Sequence, residues 1–322
     1  MMFFLQSCVY SLNIMIYFRE KFNQETIRKI LSIILIPIGI IRYIFVSVKS
    51  YFNYDVPNKC AIVMIVKNEG PYLKEYIEYY SALDCDLIIY DNDSTDLTNS
   101  IVKEYKNVLY IKWSGKKRQN DAYNHACKNF KKSYKYLMFF DADEYLVADD
   151  LLKGKPLIEI LNDFFSQNNR IASLGINWLI FGSSGFVDDP KDGVIDSFVN
   201  CSTDDFEWNQ LVKSCVIPSR IIGWVNPHLP LQTFGFYRVD LDYKKISSPR
   251  IKLPQNRSIR LFHYFVKSKN HFQEKVEKGM ADRLAKRSLD EFYYYDRNDT
   301  VNIKAKLIKK MLGDKKEKNE KN

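Results

Sequence analysis

Three uninterrupted apolar runs, each stopping at a polar cluster, constrain what this chain can fold into. Ala61–Val66 stops at Lys67-Asn68-Glu69-Gly70-Pro71, Leu87–Tyr90 at Asp91-Asn92-Asp93-Ser94-Thr95-Asp96, and Tyr136–Phe140 at Asp141-Ala142-Asp143-Glu144. Short apolar runs bounded by turn residues read as strands buried on both faces, which is typical of parallel sheets. Between them the period changes. Tyr72–Ala82 puts Leu73, Tyr76, Ile77 and Tyr80 on one helical face, with Pro71 suited to the first turn. Val108–Ile111 reads as a fourth short strand and Gln119–Phe130 as another helix. Ser94 or Thr95 could cap the helix after the second strand, with Asp93 and Asp96 near its positive end. Alternating strands and helices predict an α/β fold with a mostly parallel central sheet. The polar clusters then share the carboxyl edge of that sheet, where open α/β folds bind ligands.

Asp141 and Asp143 carry the most chemistry. Two carboxylates one residue apart can share a hard divalent cation, which in turn can hold a diphosphate. Asp-x-Asp arises often by chance; what lifts it here is the buried strand before it and the two earlier clusters beside it. A solvated loop after a strand is the plain alternative.

The clusters also follow one another in a familiar order. Lys67-Asn68-Glu69, Asp91 to Asp96, Gln119 with Tyr123-Asn124, and Phe140 to Leu146 resemble the successive motifs of glycosyltransferase family 92 and the related family-2-like transferases. The likeness continues in Trp178 with Phe181-Gly182-Ser183-Ser184-Gly185, in Lys213, and in His263-Tyr264 with Lys267-Ser268, covering residues 59 to 280. It implies a GT-A nucleotide-diphospho-sugar transferase sandwich using Mn2+ or Mg2+. By the same resemblance Asp143 is a direct metal ligand, Asp141 reaches the metal or the ribose, and His263 is a third metal ligand. Lys67, Asn68, Glu69, Asp91, Asn92, Gln119, Asn124 and Asp141 are the implied nucleotide contacts, Asn92 standing where many family-2 enzymes have Asp. Each could instead be a cap or turn residue. Lys267 and Lys275 could neutralise diphosphate charge, or Lys275 could lie on a solvated helix face.

The second half is less legible. An inverting transfer needs a base for the acceptor hydroxyl. Asp204-Asp205-Phe206-Glu207 is the dense acidic cluster there, ahead of an expected helix over 207–216, so Asp205 and Glu207 are the candidates. Asp188, Asp189 and Asp192 read as a surface loop. His228 could shape the acceptor side, Trp178 could stack on the acceptor, and Gly182–Gly185 could let the chain approach the sugar.

Composition sorts the remaining classes. The 322 residues allow one large domain with appendages, and the six Cys show no metal spacing and read as reduced thiols. The expected organisation is an apolar segment over 1–56, a catalytic domain over 57–300, and a basic tail over 301–322. Net charge is +9, and the stretch from Asn302 onward holds eight Lys against three acids, with Ile303, Leu307, Ile308, Met311 and Leu312 on one helical face. Such a helix could lie on an anionic membrane, with disorder expected from Gly313. Nucleic acid fits poorly beside a carboxylate-rich edge. Met1–Phe18 and Ile30–Val48 are apolar but interrupted, the second by Arg42, Pro37 and Gly39. They predict apolar helices that associate with a membrane rather than a clean span or a cleaved signal. The catalytic domain is then expected on the cytoplasmic face, where nucleotide sugars are made.

The expectation is therefore a metal-dependent glycosyltransferase moving a sugar from a UDP-sugar to a glycan, polysaccharide or lipid-linked acceptor. A non-catalytic carbohydrate binder on the same fold is one alternative. A sugar nucleotidylyltransferase is another, set back by the absence of a Gly-rich, Arg-containing loop after the first strand.

Overall fold

A computed structural model describes residues 40–41, 44, 55–278 and 288–319. Contacts divide the chain into two units: Met1–Asn53 with Thr233–Gly235, and Tyr54–Gln232 with Phe236–Asn322. In the first, Ile40, Ile41 and Ile44 are helical and exposed. Of the expected apolar segment over 1–56, all but Ile40, Ile41, Ile44, Asp55 and Val56 lies outside the described residues, Cys8 included. No helix among the described residues is long and apolar enough to cross a membrane.

The second unit carries the sheet. Its strands are β1 Cys60–Val66, β2 Asp86–Asp91, β3 Val108–Lys112, β4 Tyr136–Phe139, β5 Glu144–Ala148, β6 Ile171–Ile180, β7 Asn200–Cys201, β8 Val212–Val216, β9 Ile221–Trp224, β10 Pro230–Gln232, β11 Tyr237–Val239, β12 Ile259–His263 and β13 Thr300–Val301. The main sheet runs β3-β2-β1-β4-β8-β6-β12-β5, with β11 also on β6. β1 pairs in parallel with β2 and β4, and β2 with β3. Helices Gly70–Ala82 and Gln119–Phe130 connect them as the periodicity predicts. This half is the parallel α/β layer that the sequence predicts.

The other half is mixed. β8 lies antiparallel to both β4 and β6, while β12 is parallel to β6 and antiparallel to β5. The ten-residue β6 changes partners along its length: Ser173–Asn177 pair with β8 and Trp178–Ile180 with β12. The helix expected over 207–216 is instead a short 3-10 turn, Glu207–Gln210, followed by β8. Lys213 hides the apolar run of β8, and the gap between β4 and β6 supplies partners on both edges.

Aromatic residues build the core that holds the site. Tyr76, Tyr79, Tyr80 and Tyr145 pack ring against ring beneath β5. The Tyr80 hydroxyl donates to Glu144 O at 2.9 Å and accepts from Leu146 N at 2.8 Å, fixing the strand that leaves the Asp-x-Asp turn. The five described cysteines, Cys60, Cys85, Cys127, Cys201 and Cys215, are free and buried.

Two further expectations change. Helix Thr98–Val102 is not capped by Ser94 or Thr95. Asp96 instead accepts from Thr98 N and Gly70 N, tying the starts of two helices together. The C-terminal helix runs Lys304–Asn319, through the stretch expected to be disordered, and packs on the domain. Ala305 and Ile308 are buried there, whereas Ile303 and Leu307 are exposed. Lys304 pairs with Asp149, and Lys309 with Glu75 and Asp196. Part of the apolar side of this helix packs on the protein, and Ile303 and Leu307 stay exposed.

Candidate active site

The loops after β1 and β2 brace each other through their polar side chains. Asn68 N donates to Ser94 Oγ at 2.9 Å, and Thr95 N donates to Asn68 Oδ1 at 2.7 Å. Asp91 accepts from the Tyr110 hydroxyl at 2.5 Å and from Ser94 N at 3.1 Å. The Asn92 amide donates to Trp113 O at 2.8 Å and Gly115 O at 2.7 Å. Asn68 and Asp93 sit at φ 55° and 61°, a left-handed region that Asn and Asp reach more cheaply than most residues. Lys67 is exposed at the rim and Glu69 half-buried.

The Asp-x-Asp turn lies beside them, and its two carboxylates face different neighbours. Asp141 Oδ1 accepts from Gln119 Nε2 at 3.1 Å, and Asp141 Oδ2 pairs with Lys213 Nζ at 2.7 Å. Lys213 is buried, and its ammonium also lies 3.8 Å from the buried Glu144. Burial works against the charge on Lys213, but Asp141 and Glu144 outweigh it and push its pKa up. Burial pushes the Glu144 carboxyl well up, with Lys213 pulling it back.

Asp143 turns the other way, toward β12 and the helix Lys269–Lys278. Its Oδ2 pairs with Lys275 Nζ at 2.7 Å, and its Oδ1 lies 3.4 Å from His263 Nε2. Tyr264 N donates to Asp143 O at 2.9 Å, pinning the turn to the end of β12. Burial would raise the Asp143 carboxyl, yet Lys275, then His263 and Lys267, hold it well below the usual carboxylate range. Burial lowers His263, leaving a neutral ring suited to a metal. Lys267 completes the group. It is buried at φ 54°, 4.0 Å from Glu69, with its ammonium 4.2 Å from the centre of the Tyr72 ring.

The donor chemistry fits a divalent ion in part. Asp143 Oδ1 and His263 Nε2 have the separation of neighbouring ligands on one cation with bonds of about 2.1 Å. His263 Nδ1 is buried with no hydrogen-bond partner among the described residues, so packing against Trp178 and Phe265 orients the ring. No group of three or more His, Cys, Asp or Glu among the described residues could hold a metal. A divalent ion at Asp143 and His263 would therefore need its remaining ligands from phosphate and water, as Mg2+ often does.

Other expected residues lie elsewhere. Asn124 is committed to Trp224, accepting from its N–H at 2.7 Å and donating to its carbonyl at 3.2 Å. Trp178 is buried between His263 and His228 and offers no stacking face. His228 bonds Val212 O through Nδ1 at 3.0 Å. Asp205 is exposed and accepts from Thr203, while the exposed Glu207 holds Arg250 and the Tyr294 hydroxyl. Neither touches the Asp141–Asp143–His263 group. Gly182 makes room for protein rather than sugar: a Cβ there would meet Arg297 O at 2.5 Å. Asp189 is no idle surface residue, since it accepts from Ser268 and lies 3.6 Å from His271. Lys213 and Glu144 were noted in the sequence but given no role in the site. The signal was one Lys inside an apolar run.

Comparison with known proteins gives matches over part of the chain. Residues 61–174 match the family described as glycosyl transferase family 2. A glycosyltransferase family 92 protein of Ricinus communis is 26% identical over 193 residues, covering 58% of this chain and 34% of that protein. One of Arabidopsis thaliana is 22% identical over 180 residues, covering 53% and 31%. The chain spans about a third of the length of these curated relatives. Among solved structures, a 4-diphosphocytidyl-2C-methyl-D-erythritol synthase from Anaerococcus prevotii matches at 10% identity and TM-score 0.30, covering 60% of this chain and 92% of that one. HddC from Yersinia pseudotuberculosis matches at 10% identity and TM-score 0.32, covering 68% and 98%. Over residues 61–174 the chain is similar to glycosyl transferase family 2, and over about half its length it is distantly similar to the plant family 92 proteins.

Proposed function

We propose that this protein is a metal-dependent, inverting glycosyltransferase that uses a UDP-sugar and delivers the sugar to a glycan, polysaccharide or lipid-linked acceptor. The observation that carries the reading is the meeting of Asp143, His263 and Lys275 at the carboxyl edge of β4, beside the braced loops after β1 and β2. Glycosyl transfer loads negative charge onto the leaving diphosphate. Asp143 and His263 would hold Mn2+ or Mg2+, and that ion, when bound, supplies Lewis-acid charge against the leaving group. Lys267 and Lys275 bring ammonium groups to the same place. Asp91, Asn92, Asn68 and Gln119 form the wall expected to meet the nucleoside. Both amide hydrogens of Asn92 are spent on backbone carbonyls, so its contact with uracil would come from its own carbonyl oxygen. Deprotonation of the acceptor falls to the 204–207 loop, where hydrogen bonds from Tyr294 to Glu207 and from Thr203 to Asp205 lower both carboxyls and keep them ionised. The apolar amino-terminal segment is assigned to membrane association, with the catalytic unit on the cytoplasmic side.

The test is thermal stability with a panel of nucleotides, with and without Mn2+, for wild type and Asp143→Ala. A ligand at one hundred times its dissociation constant stabilises by about 2.7 kcal/mol. A shift with UDP that requires Mn2+ and disappears in the variant supports the reading. No shift with any nucleotide, in folded protein, overturns it.

A further inference from the structure

The charges around the Asp-x-Asp turn balance before any ligand arrives. Asp141 faces Lys213, Asp143 faces Lys275, and Glu69 faces Lys267. Both oxygens of each Asp are already engaged, those of Asp141 by Gln119 and Lys213 and those of Asp143 by His263 and Lys275. A divalent cation entering alone would meet three ammonium groups and would have to share Asp143 with Lys275. A diphosphate entering alone would meet three carboxylates. Entering together, each offsets what repels the other.

Lys275 is built to give way. Its ammonium also donates to Phe265 O at 3.0 Å and lies 4.8 Å from the centre of the Phe265 ring, so it keeps polar and aromatic partners after leaving Asp143. Unlike Lys213, it is not sealed in, with a fifth of its side chain exposed. Lys267, as buried as Lys213 and 4.0 Å from Glu69, adds fixed positive charge at the same place.

We propose that Lys275 competes with the divalent cation for Asp143, so that cation and donor diphosphate bind as a pair and the cation alone binds weakly. This rests on the glycosyltransferase reading of the same site.

The experiment is Mn2+ binding to the full chain, read from the electron paramagnetic resonance of free Mn2+, with and without saturating UDP. Wild type is expected to bind Mn2+ at least tenfold more tightly with UDP present. Lys275→Met should bind Mn2+ alone at least tenfold more tightly than wild type, and UDP should then add less. Lys275→Arg, which keeps the charge and grips a carboxylate with two donors, should bind Mn2+ alone no better than wild type, and it keeps the test decisive should Lys275→Met not fold. Mn2+ binding that is equally tight with and without UDP in wild type overturns the proposal. So does an unchanged Mn2+ affinity in Lys275→Met, or tighter binding in Lys275→Arg. Failure of the glycosyltransferase reading looks different: UDP and Mn2+ would then not bind wild type in any combination.

Discussion

Lys213 reaches Asp141 from the neighbouring antiparallel strand: with Phe139 opposite Ser214, its Nζ arrives 2.7 Å from Asp141 Oδ2 while only 1% of the side chain is exposed. Removing one partner of such a pair leaves buried charge uncompensated. Lys213→Met is therefore expected to cost about 3 kcal/mol, the half-open position of Asp141 placing it at the low end for buried pairs. Urea denaturation would show it as a lower midpoint. Adding Glu144→Gln should recover part of the loss.

His263→Phe should separate metal binding from folding. The new ring keeps the packing against Trp178 and Phe265 but removes a nitrogen ligand. The expected outcome is a destabilisation of about 1–3 kcal/mol, because the phenyl ring is larger than imidazole in a buried place. Mn2+ affinity in the presence of UDP, measured by calorimetry, should fall tenfold or more.

His271 makes stability depend on pH. It lies against Asp189, Tyr72, Lys267 and Lys275, and burial, followed by the charge of Lys267, lowers its pKa to about 4. The unfolded chain takes up that proton nearer pH 6.5, so it binds more protons than the folded chain between the two values. Stability should be full above about pH 6.5 and fall toward pH 4, by on the order of 3 kcal/mol from this one group. Denaturation midpoints across that range should decline less steeply in His271→Gln.

Gly182→Ala should destabilise the protein and leave the donor site alone. The added methyl would meet Arg297 O at 2.5 Å and Arg297 C at 2.7 Å, both backbone atoms that cannot swing aside. Overpacking of this kind costs about 1–3 kcal/mol. The melting temperature should drop while the UDP-induced shift keeps its size.

Ile308→Ala tests whether the C-terminal helix belongs to the domain. Ile308 is fully buried, and truncating a buried Ile costs about 2–5 kcal/mol. Leu307→Ala, on the exposed side, should change little. Equal, small effects from both in chemical denaturation would mean the helix is not docked.

The parallel half of the fold was legible because its strands are buried on both faces and so run apolar without interruption. β1, β2 and β4 ended within a residue or two of where the apolar runs stopped, and the polar clusters after them do share an edge. β8 was not legible: its charged residue satisfies Asp141, 72 positions earlier in the chain, and no local pattern announces that. The acidic stretch 204–207 was legible as a cluster, but the partners its carboxylates take were not. Asp204 is spent on Arg257 and Arg260 and Glu207 on Arg250, partners that lie well downstream. Trp178 read as a residue that could stack on the acceptor, because periodicity does not show which later side chains, here His228 and His263, pack on its ring.

Lys275 and Asp143 stand 132 residues apart, and Lys213 and Asp141 stand 72 apart. During synthesis the Asp-x-Asp turn therefore leaves the ribosome long before its counter-charges do. A nascent chain that has folded only the parallel half carries these carboxylates unpaired, and burying them is unfavourable until β8 and then the helix Lys269–Lys278 arrive. The turn is thus among the last parts of the domain to close, and chains cut short before Lys275 should keep that corner open to water.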